Sequence, residues 1–286
     1  MPERPETSRR LGWGYRLTLL ATVPAMRLMT HRDWRGMEHL PRTGGVVAVT
    51  VHASNLDPLT FGHFIHGNGR VMRFLAKASL FQVPGLGALL RSARQIPVHR
   101  GTGDAADAYR SAVAAVEAGQ LVAVFPEGTL TRDPDMWPMR GKTGAARIAL
   151  ATGAPVVPIG QWGAHRVLPR YTKRLRPWPR KVVHVWAGPP VDLDDLRGRP
   201  VDADVLREAT DRIMAALVAI VAEQRGEAPP ERLFDPREAG LPETGRFEPG
   251  ADGPERDGPG AHGPERDGPE RDGPERDGPG RDRPAA

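Results

Sequence analysis

The chain of 286 residues has an ordinary hydrophobic content of 39%, and it has no cysteine, which excludes a disulfide framework and a thiolate metal site. Its formal charge of +5 is unevenly spread: from Gly226 onward 9 Arg face 16 acidic residues, a net of −7, so residues 1–225 carry +12. A body this basic expects an anionic partner, either nucleic acid or an anionic membrane with phosphorylated substrates, with a merely solvated surface as the plain alternative.

In chain order, a basic N-terminus with no signal-peptide cleavage pattern leads into the apolar stretch Leu17–Met29. Pro24 and Arg27 interrupt that stretch, and it is shorter than the roughly 20 residues of a spanning helix. Trp13, Tyr15, Arg16, Arg27 and Arg32 around it suit a helix lying in a membrane interface, and packing on its own domain is the equal alternative. Residues 1–40 are therefore expected to be an interfacial helical segment.

Gly45–Val51 is a continuous apolar run with β-branched residues, the pattern of a buried parallel strand. Asp57-Pro58 opens a helix to about His66, with Asp as N-cap and Pro at the first helical position. Further strands are expected at Val71–Ala76, Gln95–His99, Leu121–Phe125, Val156–Ile159 and Lys181–Ala187. Helices are expected at Pro84–Ser92, Asp104–Ala118, Thr143–Ala151 and Asp202–Gln224. Strands alternating with helices at this spacing predict one α/β layered domain, residues 41–225, with a largely parallel sheet. Residues 226–286 end in copies of Gly-Pro-Glu-Arg-Asp with no apolar positions to stack, and are expected to be a disordered tail.

Ligands gather at the carboxyl ends of parallel strands, and three polar clusters fall there. His52 follows the first strand, and Asp57 stands five residues on across a strand-to-helix turn. A carboxylate so placed can hold one ring nitrogen as N–H and leave the other basic, ready to take a proton from an attacking hydroxyl. The plain alternative is an Asp that only caps its helix. Arg100 ends Ile96-Pro-Val-His-Arg and is suited to bidentate phosphate recognition, or is an ordinary surface charge; His99 beside it is more simply a packing residue. Phe125-Pro-Glu-Gly-Thr129 follows a third strand: Gly128 lets backbone approach a ligand, and Glu127 or Thr129 could bind hydroxyls, although Pro-Glu-Gly also makes a common turn. Lys77, after the strand from Val71, is in a position to reach phosphate.

The order His52-x4-Asp57, Pro-x-x-Arg100, Phe125-Pro-Glu-Gly-Thr129 and Val157-Pro-Ile159 resembles the 1-acylglycerol-3-phosphate acyltransferase (lysophosphatidate acyltransferase) family over about residues 52–159. The resemblance implies an α/β acyltransferase domain, peripheral on the cytoplasmic face of a membrane. It implies acyl-CoA or acyl carrier protein as donor, a lysophospholipid as acceptor, and no metal or organic cofactor. By it, His52 is the general base, Asp57 orients it, Arg100 binds phosphate, and Glu127, Gly128 and Thr129 occupy the acceptor motif. Val157-Pro-Ile159 is the fourth motif, a packing segment. Two positions depart from the pattern: Val51 stands where a polar residue is usual, and Leu130 where Arg follows Gly-Thr. Arg132, Arg140 or Lys142 could supply the displaced charge.

Other features are weaker. His63 and His66 lie one helical turn apart with no third ligand placed beside them, so a helix-surface or core role outweighs metal binding. No Walker loop, Gly-x-Gly-x-x-Gly or Gly-x-Ser-x-Gly occurs. Arg166, Arg170, Lys173, Arg174, Arg176, Arg180 and Lys181, interleaved with Trp162 and Trp178, suit docking to an anionic membrane or carrier protein. Rival readings are a transacylase or acyltransferase for another lysolipid, and a non-catalytic basic module for membrane or nucleic acid; the three strand-end clusters disfavour nucleic acid.

Overall fold

A computed structural model describes residues 12–98 and 105–242. The chain enters through helix α1 (Trp13–Met29), strand β1 (Thr30–Arg35), strand β2 (Val46–Thr50), helix α2 (Asp57–Gly67) and strand β3 (Met72–Lys77). It continues with α3 (Leu86–Ser92), β4 (Ile96–Val98), α4 (Ala105–Glu117), β5 (Leu121–Val124) and α5 (Gly144–Thr152). It closes with β6 (Val156–Trp162), α6 (Ala164–Val167), β7 (Lys181–Ala187) and α7 (Ala203–Arg225).

The seven strands form one sheet in the order β1-β7-β6-β2-β5-β3-β4, parallel at every junction except β6–β7. All five residues of β2 are buried, since helices cover both faces of the sheet there. Alternation divides them. Val47 and Val49 join Ala112 of α4, Ala145 and Ile148 of α5 and Leu217 of α7. Val46 and Ala48 face the other way, toward Met26 of α1 and Phe61, Phe64 and Ile65 of α2. The long helix α7 starts at Asp202, whose carboxylate accepts the Val205 N–H at 2.9 Å. It closes on β6 where Gly160 leaves room: a Cβ there would stand 2.5 Å from an Ile220 methyl carbon.

Three findings change the expected layout. The first 40 residues hold more than a helix, because β1 pairs in parallel with β7 from Thr30↔Lys181 to Arg35↔Trp186. Its sequence, Thr-His-Arg-Asp-Trp-Arg, is polar because it lies at the sheet edge. The helix before it has one face packed on the domain and another that carries exposed apolar side chains. Gly14, Tyr15 and Met26 are buried, and the Gly14 N–H donates to Ser92 Oγ at 2.9 Å. Trp13, Leu17, Leu20 and Leu28 point outward, Leu20 with 73% of its surface exposed. Residues 226–242, expected to open the structureless tail, return to the body instead. Leu233 packs on the core, and the Arg140 N–H donates to the Phe234 carbonyl at 2.9 Å.

Part of the basic surplus is interior. Arg70 is buried at the amino edge of the sheet, where it donates to the carbonyls of Pro41 (2.8 Å), Gly44 (2.7 Å) and Gly119 (3.2 Å). Such arginines join loops rather than recruit a partner.

Candidate active site

The parallel strands β2, β5, β3 and β4 all end on one edge, and the turn leaving β2 carries His52. Asp57 does not cap α2 with its side chain: it is already helical, and Leu56 holds the N-cap position. Its buried carboxylate is turned back into the preceding loop, where Oδ2 accepts the Ser54 N–H at 2.6 Å and lies 3.2 Å from His52 Nδ1. An ionised carboxylate only accepts, so Nδ1 carries the proton and Nε2 is left as the basic nitrogen. The imidazole keeps 17% of its side-chain surface exposed and lies against the Phe125 ring, centroids 4.4 Å apart. Ser54, donating to the Leu168 carbonyl at 2.6 Å, ties the same loop to the segment beyond α6.

The main chain of His52 is gripped on both sides by the turn after β5. Its N–H donates to Glu127 Oε1 at 3.2 Å, and its carbonyl accepts the Thr131 N–H at 2.7 Å. Glu127 Oε2 accepts the Met139 N–H at 3.0 Å. Glu127, expected to bind a substrate hydroxyl, is thus turned inward, 3% exposed, with both oxygens taken by backbone donors. Burial pushes its carboxyl up to about 8, outweighing the lowering effect of those two donors, while the nearby Asp57 and Asp133 charges add to the rise. Gly128 closes the turn at φ +71°, donating to the Phe125 carbonyl at 2.9 Å, and Thr129 follows half-buried.

The other expected residues are placed as follows. Lys77 ends β3, exposed, in register with Val98 of β4. Arg100 and His99 lie outside the described residues. Val51, where a polar residue was usual, is packed in the core. Arg132 is buried just after the Glu127 turn, whereas Arg140 pairs with Asp235 at 2.8 Å. His63 is buried edge-on to Trp34, and burial, with Arg32, Arg27 and His66 adding to it, lowers it to about 4, whereas His66 is exposed. Among the described residues, no three of His, Asp and Glu converge as a metal site.

Sequence reasoning missed a buried polar relay that fixes α2. Thr60 Oγ1 donates to Gln161 Oε1 at 2.6 Å, and Gln161 Nε2 donates to Thr50 Oγ1 at 3.0 Å. Its one visible signal was a glutamine inside the apolar run of β6. It missed Thr131 as well, for which the sequence held no signal.

Residues 31–162, which contain His52, Asp57, Glu127 and Thr131, match the family model described as Acyltransferase. The chain is 32% identical over 139 residues to a chloroplastic 1-acyl-sn-glycerol-3-phosphate acyltransferase of Brassica napus, covering 48% of this chain and 39% of that one. It is 28% identical over 212 residues to a 1-acyl-sn-glycerol-3-phosphate acyltransferase of Limnanthes douglasii, covering 67% and 72%. A relative of the same description from Bacillus subtilis is 30% identical over 131 residues, covering 44% and 60%. The chain thus spans 39% of the Brassica relative's length and 72% of the Limnanthes one's. The crystal structure of the 1-acyl-sn-glycerophosphate acyltransferase of Thermotoga maritima shares the fold, with a TM-score of 0.57 at 22% identity over 75% of this chain and 81% of that one.

Proposed function

We propose that this chain is an acyltransferase that moves a fatty acyl group from a thioester donor, acyl-CoA or acyl carrier protein, to the free hydroxyl of 1-acylglycerol-3-phosphate. The observation that carries the reading is the His52–Asp57 pair at a strand end, its carboxylate buried and its imidazole partly open. His52 Nε2 takes the hydroxyl proton as the oxygen attacks the thioester carbonyl. The tetrahedral intermediate collapses with cleavage of the C–S bond, and the imidazolium, steadied by Asp57, returns the proton to the departing thiolate. Arg100 and Lys77 are proposed to hold the acceptor phosphate. Positioning of that kind can lower a barrier by about 7–11 kcal/mol. No cofactor is required by this chemistry.

The same proposal places the enzyme peripherally on an anionic membrane. No helix among the described residues is long and apolar enough to cross one. The outward stripe Trp13, Leu17, Leu20 and Leu28 instead suits an interface. Arg180 joins that helix to the basic loop by donating to the carbonyls of Arg27 and Thr30, both at 2.7 Å, and the loop exposes Leu175 and Trp178 among its cations.

Purified protein incubated with labelled acyl-CoA or acyl carrier protein and a panel of lyso-acceptors, followed by lipid mass analysis, tests both halves. Label in phosphatidic acid is the expected product. Label only in another phospholipid would move the acceptor. No transfer, together with a steeply salt-dependent affinity for DNA, would overturn the enzymatic reading.

A further inference from the structure

A cleft of ≈ 370 Å³ opens beside the Glu127 turn, and the chemistry above makes no use of it. Its walls come from Glu127, from Met139–Thr143, from Arg207 of α7, and from Asp235–Arg237 of the segment that folds back after α7. Four cationic side chains stand on these walls: Arg140, Lys142, Arg207 and Arg237. Against them are Asp235, already paired with Arg140 at 2.8 Å, and Glu127, whose carboxyl burial pushes up to about 8. Arg207 donates to the Gly141 carbonyl at 3.0 Å and lies 3.9 Å from Asp211.

The position of Lys142 links this cleft to the site. Its N–H donates to the Pro126 carbonyl at 2.9 Å, and its Cδ, Cε and Nζ all lie 3.5 Å from where a Cβ on Gly128 would stand. Its ammonium therefore lies along the turn that grips His52. Thr143, also on the wall, is the N-cap of the nine-residue α5, whose positive end adds to the field. Guanidinium and ammonium together are phosphate ligands.

We infer that this cleft binds a phosphate group of one of the two substrates, with Lys142 and Arg237 as its ligands. Arg140 and Arg207 shape the wall and add positive potential. The inference rests on the acyl-transfer reading, in which both substrates carry phosphate: the acceptor on its glycerol, the donor on its pantetheine arm. It gives residues 226–242 a function, since Arg237 reaches the cleft only because that segment returns to the body.

The test is calorimetric titration of the full chain, wild type and Lys142→Gln/Arg237→Gln, with free CoA and with glycerol 3-phosphate at low salt. We expect the variant to lose about tenfold in affinity for one probe, and that probe identifies the substrate. The charge-preserving Lys142→Arg/Arg237→Lys should keep at least part of that affinity, and Arg110→Gln/Arg199→Gln, with the same loss of charge at exposed positions elsewhere, all of it. Unchanged affinity for both probes, no binding of either by the wild type, or equal losses for both would overturn the inference. Acyl transfer is assayed separately. Transfer without a cleft effect sinks this inference alone, and a cleft effect without transfer sinks the catalytic reading alone.

Discussion

Two His–Asp pairs stand in the described structure, and the one with the shorter contact is not the one at the strand ends. His184 Nδ1 lies 2.7 Å from Asp33 Oδ2 across the β1–β7 junction, whereas His52 Nδ1 lies 3.2 Å from Asp57 Oδ2 within one loop. Asp33 is a shared and partly open acceptor: Trp186 Nε1 donates to the same oxygen at 3.0 Å, and Arg35 Nε donates to the other, Oδ1, at 3.3 Å while stacking on the Trp186 ring. Asp57 is buried, committed to His52 and the Ser54 N–H, and the main chain of its histidine is gripped from both sides. Distance alone does not make a catalytic pair. What separates them is position, at a strand end in one case and on a strand body in the other, and the shell that fixes the imidazole.

The largest contrast is therefore expected from histidine removal. His52→Ala should lower kcat for acyl transfer by about 10²–10⁴-fold with the fold retained by circular dichroism. His184→Ala should stay within about twofold of wild type, as expected of a group remote from the chemistry. Comparable losses in the two variants would erase the distinction. Asp57→Asn comes next, at about 10²-fold: an amide NH₂ facing Nδ1 favours the tautomer with its proton on Nε2, where no base then remains. A kcat unchanged in Asp57→Asn would reduce the carboxylate to a loop fastener.

Glu127→Gln sharpens the role of the shell. Gln keeps one acceptor for two backbone donors, so a grip on either His52 or Met139 is lost, and kcat should fall about tenfold with KM little changed. An increase in KM alone would return Glu127 to direct substrate binding. Its titration has a sign that can be worked out. The carboxyl is raised from 4.5 to about 8 on folding, so the folded state holds a proton that the unfolded chain releases. This contribution to stability is complete below pH 4.5 and is lost progressively as pH rises to about 8. Denaturation midpoints should show that decline in the wild type, and a flatter profile in Glu127→Gln.

The same comparison marks how far the sequence could be read. The parallel sheet was legible because runs such as Val46–Thr50 and Leu121–Val124 are apolar throughout, as strands covered on both faces must be. His52, Asp57 and the Glu127 turn were legible as polar residues at strand ends. The inward role of Glu127 was not, because which donors meet a carboxylate depends on a loop at Met139, twelve residues away. Nor was β1, an edge strand whose partner lies some 150 residues on and whose charges resemble those of a loop. The returning segment 226–242 was hidden by its composition: Leu233, Phe234 and the Asp235–Arg140 pair suffice to hold it, and no periodic pattern announces them.

The smallest expected effect belongs to Asp33→Asn. Partial burial raises the Asp33 carboxyl, but hydrogen bonds from His184, Arg35 and Trp186 outweigh it and hold the group below the usual 3.8. A lowered carboxylate stabilises the folded state above that usual value, and the benefit fades as pH falls through the lower folded one. The site is partly open, so solvent screens it, and the loss at neutral pH should be about 0.2–1 kcal/mol, with turnover unchanged. The expected role is to fasten edge strand β1 to β7, which the register from Thr30↔Lys181 to Arg35↔Trp186 already aligns. Hydrogen exchange at the β1 amides should therefore rise in Asp33→Asn while exchange at β2 does not. Faster exchange at β2 with a matching fall in kcat would tie the two pairs together and undo the separation drawn between them.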